Sequence, residues 1–263
     1  MTPAEHQSPA SSSANGTIRS ATHQGIGTIE FQHPKGNSLP GSLLRELAAE
    51  ITKLGDSSDV RVIVLRSGGH GPFCAGASFD ELIAIDDEAR GQDFFSGFSR
   101  VILAMIRAPK FVVTRVHGKA AGGAVGVIAA SDYSVAIRSA SAKLSELAIG
   151  IGPFVVGPVI QSKIGLAAFS AMAVDADWRD AEWCERHGLY SKLADDQLAL
   201  DSAVDALATT LANSNPEAMA ELKRAFWSGT EQWDSLLASR AAMSGRMVLS
   251  DFTRNAIAQF KAR

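Results

Sequence analysis

Phe73-Cys74-Ala75-Gly76-Ala77-Ser78 follows a Val/Ile-rich run at residues 60–65, and His117-Gly118-Lys119-Ala120-Ala121-Gly122-Gly123-Ala124 follows a second such run at residues 111–116. Each run reads as a buried strand. Each opens into a turn with little side-chain bulk, where backbone N–H groups can approach a ligand closely. The second turn also starts a helix, whose first N–H groups have no intrahelical acceptor. Two such amides aimed at one oxygen would form an oxyanion hole. A glycine turn after a strand is common punctuation by itself. The order of the two turns, their spacing and a later Ser145-Glu146 dipeptide give the pair its weight.

Working outward, residues 17–21 and 26–31 flank His23-Gln24-Gly25 and predict a hairpin. Leu43, Leu44, Leu47, Ile51 and Leu54 recur at helical spacing before Gly55. Leu82, Ile83 and Ile85, then Phe94, Phe98, Val101, Ile102, Met105 and Ile106, predict an interrupted helical stretch ending at Ala108-Pro109. Residues 123–130 read as a short, nearly all-apolar interior helix leading to a third core strand at 133–137. Past residue 155 strand signals fade, apart from 189–193. Helical patterns then occupy 156–164, 167–172, 181–186, 198–212, 216–227, 231–249 and 252–261. The alternation gives an α/β class. The expected division is a mobile Ser/Ala/Pro-rich tail at 1–16, a core at 17–195 and a C-terminal helical region at 196–263. Asn215-Pro216 caps a helix in that last region. Its apolar faces leave packing on the chain's own core and a subunit interface both open.

Composition narrows the function class. The chain has 263 residues, 46% of them hydrophobic, enough to bury a sizeable core. Its net charge of -3, with 25 basic against 28 acidic residues and no basic cluster, gives no phosphate footprint for nucleic acid. Cys74 and Cys184 are too few for a disulfide framework or a zinc-ligand set and read as reduced thiols. The weakly polar stretch 120–130 is too short to span a bilayer, and the N-terminus has no apolar signal core. A cytoplasmic location without membrane partners is expected.

The two glycine segments resemble the F-x-A-G-A-D and V-x-G-x-A-x-G-G-G segments of the crotonase (enoyl-CoA hydratase/isomerase) superfamily, and the resemblance runs over about residues 17–263. It implies a ββα spiral core that binds acyl-CoA, and C-terminal helices that build a homotrimer or a dimer of trimers. The matching oxyanion donors are the amides of Ala77 and Gly123. Ala75, Gly76 and Gly122 line the thioester site beside them. Pro34-Lys35-Gly36-Asn37-Ser38-Leu39 resembles the P-x-x-x-N-x-L segment along the coenzyme A path, one residue shorter, which makes Lys35 a candidate phosphate partner. Phe260, Lys261 and Arg263 resemble the C-terminal aromatic and basic residues that relatives lend to a neighbour's coenzyme A site. Coenzyme A is part of the substrate, so no separate cofactor and no metal is implied.

The departures from the family pattern decide the expected chemistry. Enoyl-CoA hydratases use two glutamates. The register puts Gly126 where the first belongs, and Ser145-Glu146-Leu147 matches the second. One carboxylate can take the α-proton of a 3-enoyl thioester and return it at the γ-carbon, which is Δ3,Δ2-enoyl-CoA isomerisation. Hydration needs a second group, either a bound anion or an acid among Asp80, Glu81, Asp86 and Asp87, which follow the first glycine turn and otherwise read as a solvated acidic face. A catalytically silent acyl-CoA-binding protein stays open as well. Ser78 replaces the usual aspartate after A-G-A. Phe154, Val155 and Val156 replace small residues after Pro153 and are expected to shape the acyl pocket. His117 reads as a packed residue, and no histidine in a motif position accompanies Cys74 to make it a nucleophile.

Overall fold

The structure, a computed structural model, describes residues 15–261. Residues 1–14 of the expected tail lie outside the described residues. Strands β1 (Thr17–His23) and β2 (Ile26–Gln32) form an antiparallel hairpin around Gln24 and Gly25. Both turn residues have positive φ, 48° and 79°, as the two-residue hairpin turn requires. Four parallel strands extend the sheet: β3 (Val62–Ser67), β4 (Phe111–Val116), β6 (Tyr133–Ile137) and β9 (Lys192–Ala194), in the order β1-β2-β3-β4-β6-β9. Val62, Ile63, Val64 and Leu65 are all buried. A parallel strand covered on both faces reads as such a continuous apolar run.

A second, three-stranded sheet stands beside the first. It consists of β5 (Ala120–Ala121), β7 (Ser141–Lys143) and β8 (Arg179–Asp180), with β7 in the middle. The chain visits the large sheet, then the small one, then a helix, which is the ββα turn of a spiral. After β4 come β5 and α4 (Gly123–Ala129). After β6 come β7, a 3₁₀ turn at Leu147–Ile149 and α5 (Gly157–Asp175). Strands of two or three residues carry no periodicity, so the small sheet has no signature in the sequence.

Helix α1 (Gly41–Asp56) buries Leu43, Leu44, Leu47, Ile51 and Leu54. The interrupted stretch that follows β3 is α2 (Phe79–Ala84) and α3 (Glu88–Arg107), broken where Asp87 caps α3 by accepting from Arg90 N–H at 2.8 Å. The patterns at 156–164 and 167–172 are two helical segments of α5, separated by the non-helical backbone of Gly165 at φ 77° and ψ 162°. By length and composition α5 is apolar enough to cross a membrane, and it is longer than the stretch at 120–130; here Val159, Ile160, Ile164 and Met172 are buried in the core.

After α6 (Ala181–Arg186), the C-terminal region comprises α7 (Gln197–Ala212), α8 (Pro216–Phe226), α9 (Trp233–Val248) and α10 (Asp251–Lys261). Asn215 accepts from the N–H groups of Glu217 and Ala218 and caps α8. Leu200, Val204 and Ala208 of α7 and Leu237 and Ala241 of α9 belong to the same core cluster as the large sheet. Helices α3 and α9 cross so closely that a Cβ on Gly91 would sit 2.7 Å from Gly245 Cα. Ile257 of α10 packs in a smaller cluster with Leu82, Ile85, Phe94 and Ile151. These helices therefore bury apolar faces on their own chain.

Candidate active site

Backbone hydrogen bonds draw three separate segments side by side. Cys74 N–H donates to Lys119 O at 3.2 Å and Ala121 N–H to Cys74 O at 3.0 Å, which lays the first glycine turn against β5. Parallel pairing of β5 with β7, extended by Gly122 N–H to Lys143 O at 2.8 Å, places Glu146 just beyond the second turn. On its other side the first turn is held by residue 39: Leu39 N–H donates to Gly76 O at 2.8 Å and Ser78 N–H to Leu39 O at 3.3 Å. These bonds consume the groups flanking Ala77. Because successive peptide groups of an extended chain alternate in direction, the Ala77 N–H is turned away from residue 39.

Glycine is required where the two turns meet. Gly76 has φ 92°, and a Cβ on it would lie 2.7 Å from Ala121 O and 3.7 Å from Gly123 N. Gly122, at φ 55°, would direct a Cβ to 3.3 Å from Glu146 Oε1. Gly123 opens α4, so its N–H has no intrahelical acceptor. The expected donors, Ala77 and Gly123, thus share one cavity wall with the Glu146 carboxylate. Ser78, where the resemblance expects an aspartate, caps α2, its Oγ accepting from Glu81 N–H at 3.4 Å.

The cavity has a volume of about 100 Å³ and is mainly apolar. Phe79, Leu82, Phe95 and Phe98 form one side; Ile149, Ile151, Phe154, Val155 and Val156 form the other. Glu146 is the one ionisable side chain among the described residues of its wall. Although the residue is only half-buried, its Oε2 is sealed from solvent and has no hydrogen-bond partner among the described residues. Burial raises the carboxyl from its ordinary 4.5 to about 7, against the opposing pull of the Glu146 and Ser145 backbone.

The remaining sequence candidates separate clearly. Ala75, Gly76, Gly122 and Phe154 line the cavity, but Gly126 does not. Its expected place on the substrate wall is corrected by Val156, which covers it: a Cβ on Gly126 would meet Val156 Cγ1 at 2.5 Å and Cβ at 2.6 Å. Lys35 also lies off the cavity wall, exposed and ion-paired with Asp80. Its loop nonetheless touches the first turn through Ala75 N–H to Gly36 O at 3.0 Å. Asn37 ties that loop down by donating to Gly68 O and Pro72 O. Phe260 and Lys261 end α10, and their side chains lie outside the described part of the chain, as does Arg263.

None of the candidate second acids faces the cavity. Glu81 accepts from Gly41 N–H at 2.6 Å at the start of α1, and Asp86 and Asp87 pair with Arg90. The Cys74 thiol is pushed up to about 12 by burial and accepts from Gly76 N–H, so it supports the turn. His117 is buried edge-on to Phe73, and burial together with nearby Arg115 lowers its pKa. One wall residue that the sequence did not mark is Phe98, whose ring lies over Gly123, where a Cβ would be 2.2 Å from its Cε1. The helical period marks Phe98 as a core residue and carries no signal that its ring borders the Gly122-Gly123 turn.

Comparison with known proteins agrees with this geometry. Residues 21–260 match the family model described as enoyl-CoA hydratase/isomerase. A carnitinyl-CoA dehydratase from Citrobacter koseri is 30% identical over 210 residues, covering 80% of this chain and 79% of that protein. One from Proteus mirabilis is 26% identical over 216 residues, covering 82% of each. Among solved structures, an enoyl-CoA hydratase from Bacillus halodurans superposes with a TM-score of 0.86 at 17% identity, covering 92% of this chain and 99% of that one. One from Mycobacterium avium gives 0.82 at 24% identity, over 93% and 96%. The fold likeness and the family match coincide over the whole spiral core, and the chain belongs to the enoyl-CoA hydratase/isomerase family.

Proposed function

We propose that this chain isomerises a 3-enoyl-CoA to the 2-enoyl-CoA, with Glu146 as both base and acid. The observation that carries the reading is that Glu146 is the lone ionisable side chain of the cavity wall among the described residues, set beside the two glycine turns. The Glu146 carboxylate takes a proton from the α-carbon, the electron pair moves onto the thioester oxygen, and a dienolate forms. The N–H groups of Ala77 and Gly123 hold that oxygen, and each such donor is worth about 3 to 4 kcal/mol in the barrier. The carboxylic acid then returns the proton to the γ-carbon, which closes the double bond between the α- and β-carbons. A group that must give up and accept a proton in one cycle works best with a pKa near the operating pH, and about 7 suits both halves. Apolar walls strengthen the amide–oxyanion interaction by lowering the local dielectric.

Hydration would require a water held against the β-carbon. The place of a second carboxylate is closed by the Val156 side chain over Gly126, which supports isomerase over hydratase. A second reading, elimination of water from a 3-hydroxyacyl thioester, draws on the relatives called carnitinyl-CoA dehydratase. Glu146 would then pass the α-proton to the departing hydroxyl. Offering the purified protein a 3-enoyl-CoA and, separately, a 3-hydroxyacyl-CoA distinguishes the two. Turnover of the first and not the second is expected, and the reverse would reject the isomerase.

A further inference from the structure

We infer that Phe154 is the partition that sets acyl-chain length, closing the catalytic cavity against a larger groove on the same chain; the inference rests on the acyl-thioester reading above. Phe154 lines both spaces, next to Pro153, which also borders both, and its ring is the larger of the two side chains. The cavity holds about 100 Å³, small for an organic ligand. Behind Phe154 a groove of about 510 Å³ runs between α5 and α9, with Pro158, Phe169, Ala173, Trp233 and Leu236 on its walls.

The ring is seated rather than loosely draped. Phe154 N–H donates to Gly152 O at 2.7 Å in a tight turn. The ring folds onto Gly152, where a Cβ would be 2.4 to 2.7 Å from its Cζ, Cε1 and Cε2. A glycine at 152 therefore lets the ring lie flat across the boundary. The occupant that fits the groove is the apolar tail of the acyl group, because the groove is mainly apolar, with Gln161, Ser162 and Arg240 as its polar members, and adjoins the cavity at Pro153 and Phe154. With Phe154 in place the natural substrates are short acyl thioesters.

The test is equilibrium binding of saturated acyl-CoA thioesters, butanoyl to dodecanoyl, to the full chain and to Phe154→Ala. Saturated thioesters cannot isomerise, so a failure of the isomerase reading leaves this readout intact. Wild type should show affinity that stays flat or falls with chain length. In Phe154→Ala it should rise about fourfold per added methylene until the groove is filled, the factor expected for burying a CH₂. Phe154→Leu, which keeps an apolar side chain, guards against misfolding and should give an intermediate slope. Ala173→Phe in the Phe154→Ala background narrows the groove and should abolish the rise. A folded Phe154→Ala that keeps the wild-type profile, or that changes affinity equally at every length, would overturn the inference.

Discussion

Replacing Glu146 by glutamine should remove turnover and, at the same time, remove a pH-dependent stability penalty. The carboxyl ionises near its ordinary 4.5 in the unfolded chain and near 7 in the fold, raised by burial. Below 4.5 both states are protonated and the group contributes nothing. Between 4.5 and about 7 the unfolded state ionises first while the fold keeps its proton, so stability falls as pH rises. Above about 7 the penalty is constant. At about 1.4 kcal/mol per pH unit, the interval from 4.5 to about 7 amounts to about 3 kcal/mol. Glutamine does not titrate, and any cost of its buried amide is the same at every pH. Chemical denaturation of both proteins from pH 4 to pH 9 provides the assay. The stability of Glu146→Gln relative to wild type should climb by about 3 kcal/mol between pH 4.5 and pH 8, and wild-type kcat/KM should rise with pH toward a plateau above about 7. A stability difference that stays flat with pH would refute the claim that the carboxyl is desolvated.

Ala77→Pro deletes one oxyanion N–H and should lower kcat by about a hundredfold or more, with circular dichroism checking the fold; an unchanged kcat in a folded variant rejects the donor. It is cleaner than Gly123→Pro, because added atoms at 123 run into the Phe98 ring. Gly126→Glu alone should destabilise the protein by about 1 to 3 kcal/mol through its clash with Val156 and gain no hydratase activity. Gly126→Glu with Val156→Gly should hydrate a 2-enoyl-CoA measurably, and a single variant that already does so would show that Val156 is no barrier. Cys74 and Cys184, both pushed up to about 12 mainly by burial, should resist alkylation at pH 8 in the native protein. Rapid native-state modification, read by mass spectrometry, would contradict that burial.

The sequence carried what periodicity and glycine chemistry can encode. The runs at 60–65 and 111–116 became β3 and β4 within two residues, and the turns after them did meet, because Gly76 and Gly122 occupy positive φ and a Cβ on Gly76 would collide with Ala121 O. The Leu43-to-Leu54 pattern became α1 for the same reason that any amphipathic stripe does. Interactions between distant residues were less legible. Val156 over Gly126, Phe98 over Gly123 and Glu81 on Gly41 N–H each join residues from different elements, and no local pattern announces them. The family register could show that a carboxylate is missing at 126. It could not show that another side chain has filled the place.

The most direct test of the single-carboxylate mechanism is the mass and structure of the product formed from a 3-enoyl-CoA by the wild-type protein. The mechanism predicts a conjugated 2-enoyl-CoA of unchanged mass, with turnover lost in Glu146→Gln while the variant still binds the thioester. A product heavier by one water as the sole product, or undiminished isomerisation by Glu146→Gln, would contradict it.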